Sequence, residues 1–145
     1  MSSCPTGMEA TLLDIAKAYR NSPISPKHKK YLCILWKGGV YVQHIAIEGL
    51  ATAGSIQGCV ADVTLAILKF HKIEPAVKWV DDFVFFRVPL PAIGPLPAKP
   101  VFKFNLFTIL ALTTPLGIPW HPISKNGHDF STSFSYVDFN WNLPS

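Results

Sequence analysis

The stretch KWVDDFVFF, from Lys78 to Phe86, places two adjacent aspartates inside a run of aromatic and β-branched residues. Such residues favour β-strands, whereas charged side chains are almost never fully buried unless they are paired. The pair Asp81 and Asp82 is the polar break between the strand-like segments AVKWV and FVFFRV. The pattern therefore predicts a β-hairpin with both carboxylates at its tip.

Adjacent residues of a strand point to opposite faces, so Asp81 and Asp82 can share a site only where a turn bends the backbone. Two carboxylates this close repel each other, and each raises the proton affinity of the other unless a cation is present. Mg²⁺ binds hard carboxylate oxygens together with water and substrate phosphates. The pair therefore favours a divalent metal site, and the alternative is a solvated acidic turn.

A third carboxylate is needed to hold two metal ions about 3.5–4 Å apart, the arrangement that stabilises both oxygens in a phosphoryl transfer. Asp14 is the best candidate, because it follows the short apolar run that begins at Ala10 and is expected to end a strand there. The three aspartates Asp14, Asp81 and Asp82 are thus the candidate metal-binding residues.

The remaining segments predict an α+β fold with a small antiparallel sheet backed by helices. Tyr31–Trp36 and Val40–Ile47 flank the sequence KGG and should form a second hairpin. Apolar residues recur at helical spacing between Ala53 and Phe70, which predicts one amphipathic helix with Ile56, Val60, Val63, Ile67 and Leu68 on its inner face. A proline-rich connector, a buried helix from Phe102 to Thr113 and a single final strand in FSYVDFNWNL should follow.

Composition limits the class of protein. The chain has 145 residues, of which 49% are hydrophobic and 15% are charged, so it should fold as one domain or as a part of one. Six of its thirteen lysines and arginines lie within the first 37 residues, in a pattern that suits a polyanionic partner. A solvated basic face is the alternative.

Cys4, Cys33 and Cys59 are far apart and show no paired spacing, which favours free thiols in a reducing compartment. A zinc site drawn from Cys33, Cys59, His28 or His44 is a weaker alternative, since no C-x-x-C or H-x-x-x-H pair is present. No secretion signal is visible, and the apolar run from Phe104 to Trp120 contains prolines and polar residues. We therefore expect an intracellular protein, cytoplasmic or nuclear, that does not bind a membrane.

Three segments, in order, resemble successive motifs of the reverse transcriptase palm, particularly of retrotransposon enzymes such as those of fungal mobile elements. LDIAKAYRNSPISP resembles motif A, with Asp14 followed five residues later by Tyr19. EGLATAGSIQG resembles the FGL-x-x-A of motif B, and Trp79-Val80-Asp81-Asp82 resembles the Y-x-D-D of motif C. LGIPWHP and FSYVDFNWNL are similar to the downstream region in which a motif E strand closes the palm. The resemblance implies a partial reverse transcriptase domain over residues 10–145, with motifs at about 12–20, 48–58, 78–87 and 134–143 and a fingers-like hairpin at about 23–47.

The resemblance implies an RNA-directed DNA polymerase that adds a dNTP to a primer 3′-hydroxyl on an RNA or DNA template. By this resemblance Asp14, Asp81 and Asp82 would be the catalytic residues and would bind two Mg²⁺ ions, for which Mn²⁺ would be a substitute. The implied nucleotide contacts come from four residues: Tyr19 against the sugar, Gly49 and Ala53 where the backbone approaches the nucleotide, and Gln57 toward template or nucleotide. A surface amide is the alternative for Gln57. Lys27, Lys29 and Lys30 would meet nucleic-acid phosphates.

The sequence also departs from the family pattern. Glu48 stands where motif B has an aromatic residue, Trp79 replaces a tyrosine, and Asp138 stands where a small residue is usual. The chain has no room for complete fingers, a thumb, an RNase H domain or an integrase, so weak or absent activity is expected of it alone. The alternatives are a non-catalytic retrotransposon remnant that binds nucleic acid or a protein partner, and an unrelated binding protein with an acidic turn. Uncovered apolar surface predicts self-association.

Overall fold

The structure is a computed structural model, and it describes residues 5–47, 49–91 and 99–144. Its strands are β1 (Glu9–Asp14), β2 (Cys33–Trp36), β3 (Gly39–Val42), β4 (Ala76–Trp79), β5 (Asp82–Arg87), β6 (Gly127–Ser131), β7 (Ser133–Tyr136) and β8 (Phe139–Asn142). Its helices are α1 (Ala53–Phe70) and α2 (Leu106–Thr113), with short 3-10 turns at Ala18–Asn21, Lys29–Tyr31 and Thr114–Leu116. The predicted α+β class is confirmed.

The central sheet has the strand order β4-β5-β1-β6, and each neighbouring pair is antiparallel. The ladder between β1 and β5 begins with Glu9 opposite Arg87 and ends with Asp14 opposite Asp82. Arg87 Nε donates a hydrogen bond of 2.9 Å to Glu9, so the first of these cross-strand pairs is an ion pair. The last pair consists of two carboxylates.

The predicted hairpin around the twin aspartates is confirmed. Trp79 pairs with Asp82, and the connecting loop consists of Val80 and Asp81. Val80 has a φ of 54°, a conformation that is unusual for a β-branched residue. The loop is therefore short and strained at the position that directly precedes the carboxylates.

Strand β5 explains why an unbroken apolar run can be a strand. Phe83 and Phe85 pack into the larger core together with Leu13, Leu68 and Ile109. Val84, between the two phenylalanines, packs on the other side of the sheet in a smaller cluster with Ala10 and Phe134. Because both faces are covered, successive side chains of β5 are buried instead of alternating with exposed ones.

Helix α1 has the predicted bounds, but the prediction of its inner face was largely wrong. The buried residues are Ala53, Gln57, Ala61, Thr64 and Leu68. Ile56, Val60 and Val63 are exposed, and Val63 keeps 59% of its surface accessible. These five residues recur at helical spacing and form a second stripe. The small side chains of Ala53 and Ala61 let the helix lie close to its neighbours, which are β4, α2 and the turn at Ala18–Asn21. Among the described helices, α1 alone is long enough and apolar enough to cross a membrane. Core helices of soluble proteins share this length and composition.

Helix α2 begins later than predicted, because Asn105 caps its first turn. The Asn105 side chain accepts a hydrogen bond of 2.9 Å from the Thr108 amide, and Thr108 Oγ1 accepts one of 3.3 Å from the Asn105 amide. This reciprocal pair satisfies two backbone groups at the start of the helix. The predicted helix from Phe102 is therefore Leu106–Thr113.

The prediction of a single strand in FSYVDFNWNL was wrong. The segment forms the hairpin β7–β8, with Val137 and Asp138 as its two-residue loop. Both loop residues have positive φ, 49° and 63°, as a tight hairpin turn that matches the strand twist requires. Strand β6, which precedes this hairpin and pairs with β1, was not predicted.

The hairpin β2–β3 is confirmed with a shorter second strand than expected, since β3 ends at Val42. Further along, Ile45 pairs with Pro23 in an isolated bridge. In the proline-rich connector, Leu90 donates a backbone hydrogen bond of 2.8 Å to Val101. Residues 92–98 of that connector, together with Cys4 and Glu48, lie outside the described residues.

Candidate functional site

The structure brings the three predicted aspartates together at one end of the central sheet. Asp14 is the last residue of β1 and lies directly opposite Asp82, the first residue of β5. Directly opposite residues of an antiparallel pair have Cβ atoms about 4.5–5.5 Å apart. The backbone amide of Ile15 also donates a hydrogen bond of 3.1 Å to the Asp81 carbonyl oxygen, so the strand end that carries Asp14 is joined to the loop that carries Asp81.

The closeness of the three aspartates affects the pKa of the Asp82 carboxyl. Burial raises the pKa of the Asp82 carboxyl, and repulsion from Asp14 and then from Asp81 raises it further. Each of these effects disfavours the ionised form. A nearby cation would reverse the electrostatic part of the cost, because it favours ionised carboxylates.

Asp14 has two further neighbours that sequence reasoning missed. Asn126 Nδ2 donates a hydrogen bond of 2.9 Å to Asp14 Oδ2, and His121 Nε2 lies 3.8 Å from the same oxygen. The His121 amide also donates a hydrogen bond of 2.8 Å to the Asp14 carbonyl oxygen. Both residues belong to the segment between α2 and β6. Recognising β6 as the strand next to β1 would have placed Asn126 beside Asp14, whereas His121 is placed by the bridge between Ile15 and Trp120.

Tyr136, at the end of β7, is another group near the carboxylates. Burial raises the pKa of the Tyr136 phenol, and the negative charge of Asp82 raises it further. This electrostatic interaction places the hairpin β7–β8 at the same end of the sheet as the aspartates. The C-terminal segment therefore contributes to the surroundings of the site.

The donor chemistry at this end of the sheet fits a hard divalent cation, since Asp14 and Asp82 offer carboxylate oxygens from facing strands. In the parts of the chain that the structure describes, however, no group of three or more His, Cys, Asp or Glu residues is arranged to hold a metal ion. The same finding leaves the zinc alternative without support. Cys33 and Cys59 are free, exposed thiols, as predicted.

The predicted nucleotide-contacting residues lie around the start of α1. Tyr19 is half-buried in the turn at Ala18–Asn21, against which α1 packs. Gly49 is exposed with a φ of 86°, and a Cβ built there would meet nothing within 4 Å. Ala53 is buried, and Gln57 is only 2% exposed, so Gln57 is not the surface amide that the alternative proposed. Its Nε2 has no hydrogen-bond partner among the described residues.

The three predicted phosphate-binding lysines have different environments. Lys27 and Lys30 are exposed, and the Lys30 ammonium lies 4.9 Å from the centre of the Tyr31 ring. Lys29 is half-buried, and its ammonium lies 2.7 Å from His44 Nδ1. Lys29 therefore ties the turn before β2 to the segment after β3, and Lys27 and Lys30 are the more accessible cations.

No family model matches this chain, and no curated protein matches it in sequence. Solved structures of foamy viral protease-reverse transcriptase do match. The structure in complex with dsDNA has a TM-score of 0.67 at 15% identity, over 99% of this chain and 28% of that chain. The structure in complex with an RNA/DNA hybrid has a TM-score of 0.65 at 16% identity, over 94% of this chain and 17% of that chain. The selenomethionine-labelled CSH mutant of the prototype foamy virus protein has a TM-score of 0.65 at 18% identity, over 99% of this chain and 17% of that chain.

These matches show that the chain has a fold similar to part of a reverse transcriptase. At such identities the similarity concerns the fold alone. The chain spans between 17% and 28% of the length of these three structures. The expected resemblance to a reverse transcriptase is thus confirmed at the level of the fold.

Proposed function

We propose that this chain is the palm part of a retrotransposon-type reverse transcriptase, and that the hairpin β2–β3 belongs to its fingers. The observation that carries the proposal is the register that places Asp14 opposite Asp82, next to Asp81. These residues come from the two segments that resemble motifs A and C. If the twin aspartates were only an acidic turn of an unrelated protein, a third aspartate nearly seventy residues away in sequence would not be expected beside that turn.

Asp14, Asp81 and Asp82 would hold two Mg²⁺ ions, which when bound supply charge neutralisation and activation of the primer 3′-hydroxyl in nucleotidyl transfer. The protein itself contributes by holding the carboxylates in position. Asn126 holds one oxygen of Asp14 by a hydrogen bond, and the ladder between β1 and β5 fixes the distance between the strands. Tyr19, Gly49, Ala53 and Gln57 would form the nucleotide side of the site, because they flank the packing between the motif A turn and α1.

The proposed partners are a template-primer of RNA or DNA and a dNTP. The foamy viral structures hold an RNA/DNA hybrid and dsDNA, and a similar fold supports the same class of partner here. Lys27 and Lys30 are accessible for phosphate contacts. An intracellular location, cytoplasmic or nuclear, belongs to this proposal.

Primer extension on an RNA template with Mg²⁺ or Mn²⁺ tests the proposal. Asp81→Asn and Asp82→Asn should each abolish extension, because each removes a charge from the metal site. Asp62→Asn is the matched control, since Asp62 is exposed on α1 and forms an ion pair of 3.1 Å with the half-buried Lys78. Extension that persists in both site variants, or that fails equally in the control, would contradict the assignment of the carboxylates.

A second candidate function is a non-catalytic remnant that binds nucleic acid or a protein partner. Exposed apolar side chains on α1, including Val60 and Val63, favour it, because such a surface suits self-association or a protein partner. Extension absent under all conditions, together with salt-dependent nucleic-acid binding, would support the remnant. Sedimentation at several protein concentrations would show whether the chain associates with itself.

A further inference from the structure

Helix α1 has an apolar face that is exposed along its length. The residues of this face, called the α1 seam below, recur alternately three and four positions apart: Ile56, Cys59, Val63, Ala66 and Phe70. Phe70 keeps 80% of its surface accessible. Apolar residues in a repeat of seven are the pattern with which two helices pack along a common line of contact. The α1 seam is therefore suited to a second helix.

Large and small side chains alternate along the α1 seam. Ile56, Val63 and Phe70 are large, whereas Cys59 and Ala66 between them are small. In a parallel pair of these helices each residue would face its own counterpart, so large side chains would collide and small ones would leave gaps. In an antiparallel pair the large side chains of one helix face the small ones of the other. The α1 seam is thus complementary to itself, as the interface of a two-fold dimer has to be.

A groove beside the α1 seam has room for its largest side chain. The groove has a volume of about 390 Å³, and its walls include Cys59, Val60, Val63 and Ile67 of α1 together with Leu116 and Ile118. A cavity of about 150 Å³ already holds a benzene ring. If Phe70 of one copy faces Cys59 of another, its ring lies at the mouth of this groove. Two-fold symmetry then repeats the same contact on the other side of the axis.

The charged residues of α1 favour the same alignment of two copies. Asp62 and Lys69 are the two charged residues of the helix, and they lie seven positions apart along one flank of the α1 seam. When Phe70 faces Cys59 of the other copy, the antiparallel arrangement brings Asp62 of each copy beside Lys69 of the other. The Asp62 side chain is 69% exposed although it pairs with Lys78, so it is accessible to a second cation. Both contacts between the copies therefore join opposite charges.

We propose that two copies of this chain form an antiparallel two-fold dimer along the α1 seam, with Phe70 of each copy in the groove of the other. The contact has fewer residues than the roughly 20–30 on each side of a standard interface, so the dimer should dissociate in the micromolar range or above. The inference goes beyond both proposed functions, because no residue of the α1 seam belongs to the carboxylate site.

The first test is sedimentation of the full chain over a series of protein concentrations. Wild type should pass from monomer to dimer. Phe70→Ala should raise the dissociation constant at least about tenfold, because it removes a central aromatic side chain from both halves of the interface. Phe107→Ala is the matched control, since Phe107 lies on α2 and is 77% exposed, and it should leave the dissociation constant unchanged. Circular dichroism checks the fold of each variant.

A charge exchange tests the antiparallel alignment without changing an apolar residue. Lys69→Glu and Asp62→Lys each place like charges together in a dimer of the variant with itself, and each should weaken association about three- to tenfold. An equal mixture of the two variants restores an attractive pair on both sides of the axis. The mixture should therefore associate about as tightly as wild type, a result that a loss of folding in either variant would not give.

The native cysteines report which surface is covered. Cys59 is an exposed thiol on the α1 seam, and Cys33 is an exposed thiol on β2. Alkylation by N-ethylmaleimide, followed by mass spectrometry of the digested chain, should be slower at Cys59 when the protein concentration is raised. The rate at Cys33 should stay the same, so the two thiols of one sample serve as probe and control.

A chain that stays monomeric at every concentration would overturn the proposal. Association that is weakened equally in Phe107→Ala, or that leaves the alkylation of Cys59 unchanged, would place the contact on another surface and reject the α1 seam. Slower alkylation of Cys59 in the presence of phosphatidylcholine vesicles, without association of the chain itself, would identify a lipid surface and reject the dimer. Asp81→Asn should associate like wild type, so a failure of the polymerase proposal is distinguishable from a failure of this one.

Discussion

Asp14 and Asp82 face each other at one end of the ladder between β1 and β5, while Glu9 and Arg87 form an ion pair at the other end. The same two strands thus hold a stabilising pair of opposite charges and a destabilising pair of like charges. Like charges directly opposite each other on a sheet reduce stability. A site that reduces stability is expected to be retained for function, and this cost is measurable.

Asp82→Asn should stabilise the fold at neutral pH while it abolishes primer extension. The substitution removes the cost of burying the Asp82 charge and the repulsion of that charge by Asp14 and Asp81, and we expect the unfolding midpoint to rise by about 2–4 °C. Because the pKa of Asp82 is raised above its ordinary value of 3.8, the cost is fully present above the raised pKa and absent below 3.8. Thermal unfolding from neutral to acid pH should therefore show a gain that disappears in acid.

Added Mg²⁺ should reduce the difference in unfolding midpoint between wild type and Asp82→Asn by stabilising the wild type. A ligand that binds the folded state stabilises it, so added Mg²⁺ should raise the midpoint of wild type more than that of Asp82→Asn. Asp62→Asn removes the ion pair between the exposed Asp62 and the half-buried Lys78, so it should not raise the unfolding midpoint at any pH. A stability gain in Asp62→Asn equal to that in Asp82→Asn would show that the effect comes from net charge and not from the site.

Val80→Gly tests the strain next to the carboxylates. Val80 has a φ of 54°, which glycine adopts without steric cost. Relief of this strain should outweigh the added freedom of the unfolded chain and stabilise the protein by about 1 kcal/mol. Extension activity should fall, because a freer loop holds Asp81 less firmly. Denaturant unfolding and primer extension on the same sample check both effects, and an unstable, fully active variant would contradict the argument.

Asn126→Ala should weaken Mg²⁺ binding without removing a metal-binding oxygen. Asn126 Nδ2 holds Asp14 Oδ2 at 2.9 Å, and loss of such a supporting hydrogen bond costs about ten- to a hundredfold in metal affinity. Titration calorimetry with Mg²⁺ or Mn²⁺ measures the change. Asn21→Ala is the matched control, since the Asn21 side-chain amide donates a bond of 2.9 Å to the Ala16 carbonyl oxygen instead. Equal weakening in both variants would rule out a specific role for Asn126.

Val63→Lys and Ala61→Lys should separate the two faces of α1. Val63 is exposed, so a lysine there should change the free energy of unfolding by no more than about 0.5 kcal/mol. Ala61 is fully buried, and a lysine there should cost about 4 kcal/mol or prevent folding. If the apolar face causes self-association, Val63→Lys should also lower the sedimentation coefficient at high protein concentration. The reverse order of stability would mean that the originally predicted face is the buried one.

Gly127→Ala and Gly58→Ala should act in opposite directions. A Cβ at Gly127 would lie 2.7 Å from the Leu12 carbonyl oxygen, and the φ of 143° is unfavourable for alanine, so a loss of about 1–3 kcal/mol is expected. Gly58 lies within α1, and a Cβ built there would meet nothing within 4 Å. Gly58→Ala should therefore raise the free energy of unfolding by about 1 kcal/mol. Denaturant unfolding measures both, and a neutral Gly127→Ala would mean that β6 is not held closely against β1.

The sequence was sufficient for elements whose signals are local. The hairpin at Asp81 and Asp82 follows from a polar break between two strand-like runs, and the bounds of α1 follow from periodicity and the proline after it. The inner face of α1 was misjudged because hydropathy ranks valine above alanine, whereas close packing against neighbouring elements favours the smaller residue. Which stripe is buried depends on the shape of the partner surface, and a single segment does not contain that information.

Features that depend on distant pairing were missed. The β6 sequence GHDFS has no strand alternation, and β6 is held by its pairing with β1 more than a hundred residues earlier. Asn126 directly precedes β6, and Trp120, the residue before His121, pairs with Ile15 in an isolated bridge. Both residues therefore reach Asp14 through pairing between distant segments, and nothing in their local sequence indicated a role. The turn at Val137 and Asp138 was missed because valine is not a residue from which a positive φ is expected.

The strand order β4-β5-β1-β6 gives the carboxylates unequal freedom. β1 is paired on both sides and should be among the slowest segments to exchange its amide hydrogens, whereas β4 pairs with only one strand among the described residues. Local opening of the sheet at β4 would displace Asp81 before it displaced Asp14. A peptide that added a strand to β4 would restrict this opening. A ligand bound at this sheet edge would therefore change how firmly Asp81 is held without contacting any of the aspartates.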